Sequence, residues 1–181
     1  MRHNESPLQA PTELKWTEME SAVGTLSICR SQRGIARIDF GSSQVRDTAL
    51  FKWGNKWWPK AGFVRDDNDE LLIEAVRQLN EYFQGNTTTF SLPLELKGTP
   101  FQLKVWKALL DVPYGQTAAY QDIAVAIGEP KAARAVGGAN NKNPVPIVVP
   151  CHRVIGANGS MVGYSPGLSR KRCWHLKERL F

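Results

Sequence analysis

Two helix-breaking triplets, Pro113-Tyr114-Gly115 and Gly128-Glu129-Pro130, stand close together in the second half of this chain. No helix runs through either, because proline lacks the N–H and clashes with the preceding turn while glycine disfavours helix. The stretch 99–140 must therefore fold as three short helices. Thr99 is placed to cap the first, with Pro100 at its opening position and Phe101, Val105, Trp106, Leu109 and Leu110 on the buried stripe. Thr117 can cap the second, over 118–127, with Tyr120, Ile123, Ala124 and Ile127 facing inward. The third spans 131–140 and carries Lys131 and Arg134 in its first turns.

Two short helices joined by a tight Gly-containing turn have the outline of a helix-turn-helix unit, whose second helix enters a DNA groove. Any pair of packed helices shares that outline, so the pattern leaves both readings open. Ala135, Gly137, Gly138 and Ala139 make the third helix thin. Consecutive glycines within a helix each cost up to about 1 kcal/mol relative to alanine, which implies that something approaches closely there. Charge adds to this. Residues 97–181 hold twelve Lys and Arg against four Asp and Glu, a net +8, whereas residues 1–96 sum to −2. A basic half fits a polyanion partner, although many basic proteins have none.

The first half reads differently. Residues 15–40 read as a hairpin, interrupted at Val23-Gly24-Thr25, with Gly34 to Phe40 alternating apolar and polar as a half-buried strand does. Residues 41–67 read as irregular, with Trp53, Trp57 and Trp58 forming a satellite cluster. A helix is predicted over 68–83, stopped by Gly85-Asn86, and a short strand over 90–96. The fold class is α+β: a small N-terminal α/β domain, 1–96, then a mainly helical C-terminal domain, 97–181, containing the helix-turn-helix unit. Hydrophobic residues at 42% and charged residues at 22% are globular proportions and exclude a disordered or collagen-like chain. Apolar runs such as Pro146 to Pro150 are far short of the ~20 residues of a membrane span, and residues 1–7 lack a signal-like apolar core. A chain that stays inside the cell, in the cytoplasm, is expected.

The chemistry concentrates in Asn143-Pro144-Val145-Pro146-Ile147-Val148-Val149-Pro150-Cys151-His152-Arg153-Val154. Residues 147–149 read as a buried strand delivering Cys151 beyond a proline. Cationic neighbours such as His152 and Arg153 favour the thiolate that nucleophilic attack requires. In extended chain successive side chains point oppositely, so Cys151 and His152 need a bend or a bridging water to communicate. A buried structural cysteine is the competing reading. Cys29, Cys151 and Cys173 form an odd, scattered set without C-x-x-C spacing, which points to neither a disulfide framework nor a metal site. Further on, Asn158-Gly159 is a hairpin-turn signal. A last helix over 168–180 carries Glu178, a candidate to orient His152 or an ordinary solvated charge.

Pro150-Cys151-His152-Arg153-Val154, preceded by Asn143-Pro144 and followed by Gly163-Tyr164, resembles the active-site signature of the O6-alkylguanine-DNA alkyltransferases. Lys131-Ala132-Ala133-Arg134-Ala135-Val136-Gly137 is similar to that family's recognition helix, and the likeness spans residues 97–181. Ser21 to Leu26 is a weaker likeness to its N-terminal strand. The resemblance implies direct-reversal repair: the alkyl group of O6-alkylguanine in double-stranded DNA, and by extension O4-alkylthymine, passes irreversibly to Cys151. By the same resemblance His152 is the water-linked base, Glu178 its orienting carboxylate and Asn143 the hinge between helix and active-site segment. Tyr120 and Arg134 rotate the target nucleotide out, Lys131, Ala133 and Gly137 lie along the DNA, and Tyr164, Ser165, Val154 and Pro146 line the guanine pocket. The protein is expected to act as a monomer without metal or cofactor. Pro166 stands where some relatives have glycine, which bears on how large an alkyl group the pocket takes. Two other classes compete: a helix-turn-helix binder of alkylated DNA without transfer activity, and a Cys-His hydrolase, for which the chain offers no oxyanion-loop signature.

Overall fold

The computed structural model describes residues 13–41, 49–157, 159, 160 and 178. The N-terminal domain is a sheet of four strands. Strands β1 (Glu13–Met19), β2 (Leu26–Ser31) and β3 (Gly34–Phe40) form an antiparallel meander, and β4 (Gly62–Arg65) lies parallel to β1, giving the order β3-β2-β1-β4. The expected hairpin is thus two successive hairpins, and β3 coincides with the alternating segment read from the sequence.

The register places Trp16 opposite Cys29 and Ile28 opposite Ile38. Since alternate residues face opposite sides, Leu26, Ile28 and Ile38 join one core while Leu14, Trp16 and Cys29 join another. The second core is capped by Leu50 and flanked by Trp53 and Trp58. Trp57 lies outside it and carries the Lys56 ammonium 5.0 Å from its ring centroid.

Residues 41–67 are more ordered than expected: they include helix α1 (Ala49–Trp57) and strand β4. The helix depends on tertiary contact rather than local propensity. Phe51 stacks on Phe63 at 4.1 Å, and a Cβ added to Gly54 would lie 2.2 Å from the Phe63 ring. Such packing leaves no periodic trace in a tryptophan-rich segment.

Helix α2 (Glu70–Gln84) follows the predicted span closely. The Asp69 carboxylate accepts the N–H groups of Leu71 and Leu72, and Gly85, at φ 80, ends the helix in the left-handed conformation. Leu72, Ala75, Leu79 and Tyr82 bury its inner stripe against the sheet and the C-terminal helices. The strand expected over 90–96 is absent as a strand. Leu94 makes an isolated bridge to Ile35, with Ile35 N–H on Pro93 O and Glu95 N–H on Ile35 O, and Pro93 has no N–H to extend the ladder.

In the C-terminal domain, α3 (Pro100–Leu110) begins with the full capping box of Thr99 and Gln102. Helices α4 (Tyr120–Ala126) and α5 (Ala133–Asn140) form the anticipated pair. Two boundaries differ from the expectation. Residues Ala118–Ala119 are a short strand, β5, paired in parallel with β6 (Val154–Ile155), so α4 starts at Tyr120 and Thr117 caps nothing. Asp122 instead reaches back to accept the Ala119 N–H at 2.8 Å. Lys131 lies in the turn before α5 rather than in its first turn. The α4–α5 connection is closed by Gly128 at φ 78, with Gly128 N–H on Val125 O and Glu129 N–H on Ala124 O, a complete Schellman pattern. Trp106 Nε1 donates to Ala139 O at 2.9 Å, and Val105, Trp106, Val136 and Ala139 share one core with the sheet.

Candidate active site

Cys151 does not follow a strand. Residues 144–150 form a tight loop in which Val149 N–H bonds Val145 O at 2.9 Å, and Ile147, fully buried, holds φ 79. A β-branched residue in that region costs on the order of 1–3 kcal/mol and persists only where its surroundings over-determine it. Asn143 supplies that constraint: its Oδ1 accepts Val145 N–H at 3.0 Å and its Nδ2 donates to Val149 O at 2.8 Å. The loop feeds a single 3₁₀ turn, Cys151–Arg153. This turn is the bend that the Cys-His pair needed, because in a helical turn neighbouring side chains diverge by about a third of a turn instead of pointing oppositely.

Everything on the turn is buried. Cys151 is 2% exposed and His152 not at all. His152 Nε2 lies 2.6 Å from Glu178 Oε1, and both groups are enclosed. With Glu178 ionised, that contact places the neutral ring's proton on Nε2 and makes Nδ1 the basic nitrogen. Burial pushes the Glu178 carboxyl up, but hydrogen bonds and charge from His152, then Arg153 and Tyr82, outweigh it and hold the group at about 2. Glu178 is therefore a buried carboxylate within a network and not a solvated helix charge.

Arg153 was expected as a cation beside the thiol. Its donors go elsewhere: Nε to Glu178 Oε2 at 3.0 Å and Nη1 to Val112 O at 2.7 Å, with the guanidinium 5.6 Å from the Tyr114 ring centroid. Sequence reasoning missed Tyr82 and Asn140 altogether, and of Arg153 it missed the role as partner of Glu178. Asn140, on the last turn of α5, donates to the Cys151 carbonyl at 3.2 Å and ties that helix to the turn. Only the Arg adjacent to Cys-His carried a signal, since a charge beside a buried motif demands a partner.

The helix pair meets the turn through the β5–β6 ladder, which sets Ala118 and Ala119 beside Val154 and Ile155. Tyr120 follows directly and is half-buried; burial and the neighbouring Cys151 push its phenol up. A Cβ on Gly137 would make ordinary contact with the Tyr120 ring at 3.8 Å, and one on Gly138 would meet nothing within 4 Å. The chain itself thus does not demand either glycine. Arg134 and Lys131 are exposed, with Ala133 and Gly137 partly so. Val154 is fully buried, and Pro146, also buried, shares with Cys151 the wall of a cleft of about 540 Å³ that includes Arg37, Lys97 and Lys142. Tyr164, Ser165 and Pro166 lie outside the described residues, as do Cys173 and, Glu178 apart, the span 168–180 expected as a last helix. Among the described residues no cluster of His, Cys, Asp and Glu could hold a metal ion, and Cys29, fully buried, has its thiol pushed up to about 12, chiefly by burial.

The fold is thus a sheet domain joined to a helix pair, with a buried Cys-His-Glu series set against that pair. The family described as 6-O-methylguanine DNA methyltransferase matches twice, its ribonuclease-like domain over residues 14–96 and its DNA binding domain over residues 100–179. A methylated-DNA--protein-cysteine methyltransferase of Methanosarcina barkeri is 42% identical over 153 residues, covering 84% of this chain and 89% of that one. The constitutive methylated-DNA--protein-cysteine methyltransferase of Bacillus subtilis is 45% identical over 150 residues, covering 83% and 86%. The crystal structure of Mycobacterium tuberculosis OGT in complex with DNA superposes with a TM-score of 0.78 at 39% identity, covering 92% of this chain and 93% of that one. The chain belongs to the 6-O-methylguanine DNA methyltransferase family.

Proposed function

We propose that this protein repairs alkylated DNA by direct reversal, taking the alkyl group from O6 of guanine onto Cys151 in one irreversible event. The observation that carries the reading is the placement of the Cys151–Arg153 turn, with His152 on Glu178 at 2.6 Å, directly beside the start of the α4–α5 pair. Attack on an alkyl carbon needs access that a stacked duplex denies, so the nucleotide leaves the helix at a cost of a few kcal/mol. Arg134 fills the gap and Tyr120 turns the nucleotide. Lys131, Ala133 and Gly137 run along the DNA. Tyr164, Ser165, Val154 and Pro146 receive the base.

His152 takes the Cys151 proton through a bridging water, and Glu178 holds the ring and offsets the imidazolium charge. The sulfur then bonds the alkyl carbon as the carbon–O6 bond breaks. The electron pair stays on guanine, which gains a proton from Tyr120 while a backbone donor near Cys151 hydrogen-bonds it; the proton that His152 took then returns to the Tyr120 phenolate through water. A thioether has no easy hydrolytic exit, so each chain acts once. Asn143 keeps the strained loop in place behind the thiol. The division into domains at 1–96 and 97–181 is supported by the gap between the two family matches. The protein acts as a monomer on double-stranded DNA in the cytoplasm. No helix among the described residues is long and apolar enough to cross a membrane.

The test is a duplex carrying labelled 6-O-methylguanine. One label should transfer per chain. Cys151→Ala should bind the duplex without labelling, and Cys29→Ser should transfer normally. Label on Cys151→Ala would overturn the assignment of the acceptor. Repeated turnover would overturn the single-event chemistry.

A further inference from the structure

The N-terminal domain touches the reacting network at a side chain outside the resemblance's site. Tyr82 sits on the last turn of α2, 2% exposed, and its hydroxyl donates to Glu178 Oε1. That same oxygen lies 2.6 Å from His152 Nε2 and 3.2 Å from Arg153 Nη2, while Oε2 accepts from Arg153 Nε and, at 3.3 Å, from Gly115 N–H. We propose that Tyr82 is a positioning residue which, acting from the N-terminal domain through Glu178, sets the basicity of His152. The proposal rests on the reading of Cys151 as acceptor and His152 as its base.

The physical argument concerns one shared oxygen. A carboxylate oxygen that accepts an O–H bond has less charge to offer a neighbouring imidazolium, so the phenol holds the basicity of His152 below the level the carboxylate alone would give. Tyr82 is built to stay in this position. Its ring packs edge-on to Tyr114 at 6.0 Å and against Phe90 at 5.0 Å, and Tyr114 in turn lies under the Arg153 guanidinium. Burial, then the Glu178 charge, push the phenol's titration upward, so it remains a donor throughout the working range. Among the described residues, the titratable and charged groups gathered here are Tyr82 from α2, Tyr114 from the loop after α3, Tyr120 from the start of α4, Cys151, His152 and Arg153 from the 3₁₀ turn, and Glu178 itself.

Tyr82→Phe keeps the ring and both aromatic contacts and removes only the donor. Single-turnover transfer from the labelled 6-O-methylguanine duplex is measured against pH. The acid limb, below which His152 is already protonated and cannot take the thiol proton, should move up by about half a pH unit or more, slowing transfer about threefold below the limb. A limb that superimposes on the parent's, whether or not the plateau falls, overturns the proposal, because a merely supporting tyrosine changes the plateau alone. If Tyr82→Phe does not fold, 3-fluorotyrosine placed at position 82 tests the same idea in reverse. Its more acidic phenol is a stronger donor, so the limb should move down, and an unmoved limb overturns the proposal. Failure of the parent itself to transfer label would instead overturn the reading of Cys151.

Discussion

Replacing Glu178 by glutamine tests whether the buried network is as strongly coupled as its geometry implies. The substitution keeps the shape and an acceptor oxygen but removes the charge opposite Arg153 and His152. Two routes give the size of the loss. Holding the carboxyl at about 2 instead of its ordinary 4.5 amounts to about 3 kcal/mol of stability at neutral pH, each pH unit of displacement being worth about 1.4 kcal/mol. Independently, removing one partner of a buried ion pair strands the other and costs about 3–5 kcal/mol. Glu178→Gln should therefore unfold in urea with about 3–4 kcal/mol less stability at pH 7. The pH dependence gives a second readout. Because the folded carboxyl lies below the unfolded one, its contribution is complete well above pH 4.5 and is lost as pH falls towards 2. The parent should lose this increment in acid, and Glu178→Gln should lack that part of the acid slope. A loss under about 1 kcal/mol, the size of an exposed pair, or identical acid slopes in the two proteins, would refute the reasoning.

Arg134→Ala should slow transfer from duplex DNA far more than transfer from a free alkylated guanine base, which needs no extrusion; equal slowing on both would place its effect on the chemistry at Cys151. Asn143→Ala removes both hydrogen bonds that pin the loop bearing Ile147. It should cost about 2–3 kcal/mol, lowering the melting temperature by about 5–10 °C in calorimetry; a shift within 2 °C, on the order of a single kcal/mol, would show that the loop holds its shape without it.

What could be read in advance followed from local rules. Helices α2 and α3 declared themselves through apolar stripes, the Thr99 cap of α3 and the Gly85 stop of α2, while the Asp69 cap of α2 was legible only in the structure. Strand β3 showed as simple alternation, and the thiol motif stood out by composition. Apart from the strand expected over 90–96, where Pro93 interrupts the ladder locally, the misreadings share one cause, which is structure imposed from a distance. The α1–β4 segment is ordered by Phe63 packing into the space at Gly54. The extended look of Ile147-Val148-Val149 gave way to a loop because Asn143 bonds it at both ends. Thr117 lost its cap because β5 is drawn out by a partner in β6, more than thirty residues on. Glu178 was visible as a carboxylate, but its burial was not, since the groups that neutralise it come from three separate elements.

The meeting of those elements at Glu178 also orders events in time. Ribosomes deliver chains from the N-terminus, and domains generally fold as they emerge. The sheet, α2 and the helix pair all precede residue 178 in the sequence. Until that residue has emerged, Tyr82, His152 and Arg153 face a space whose anion has not yet been made, and enclosing the Arg153 guanidinium there would leave a buried charge unanswered. The network closes last. A nascent chain thus carries Cys151 before the carboxylate that His152 and Arg153 require, so on the proposed reading the thiol becomes reactive only once residue 178 has emerged.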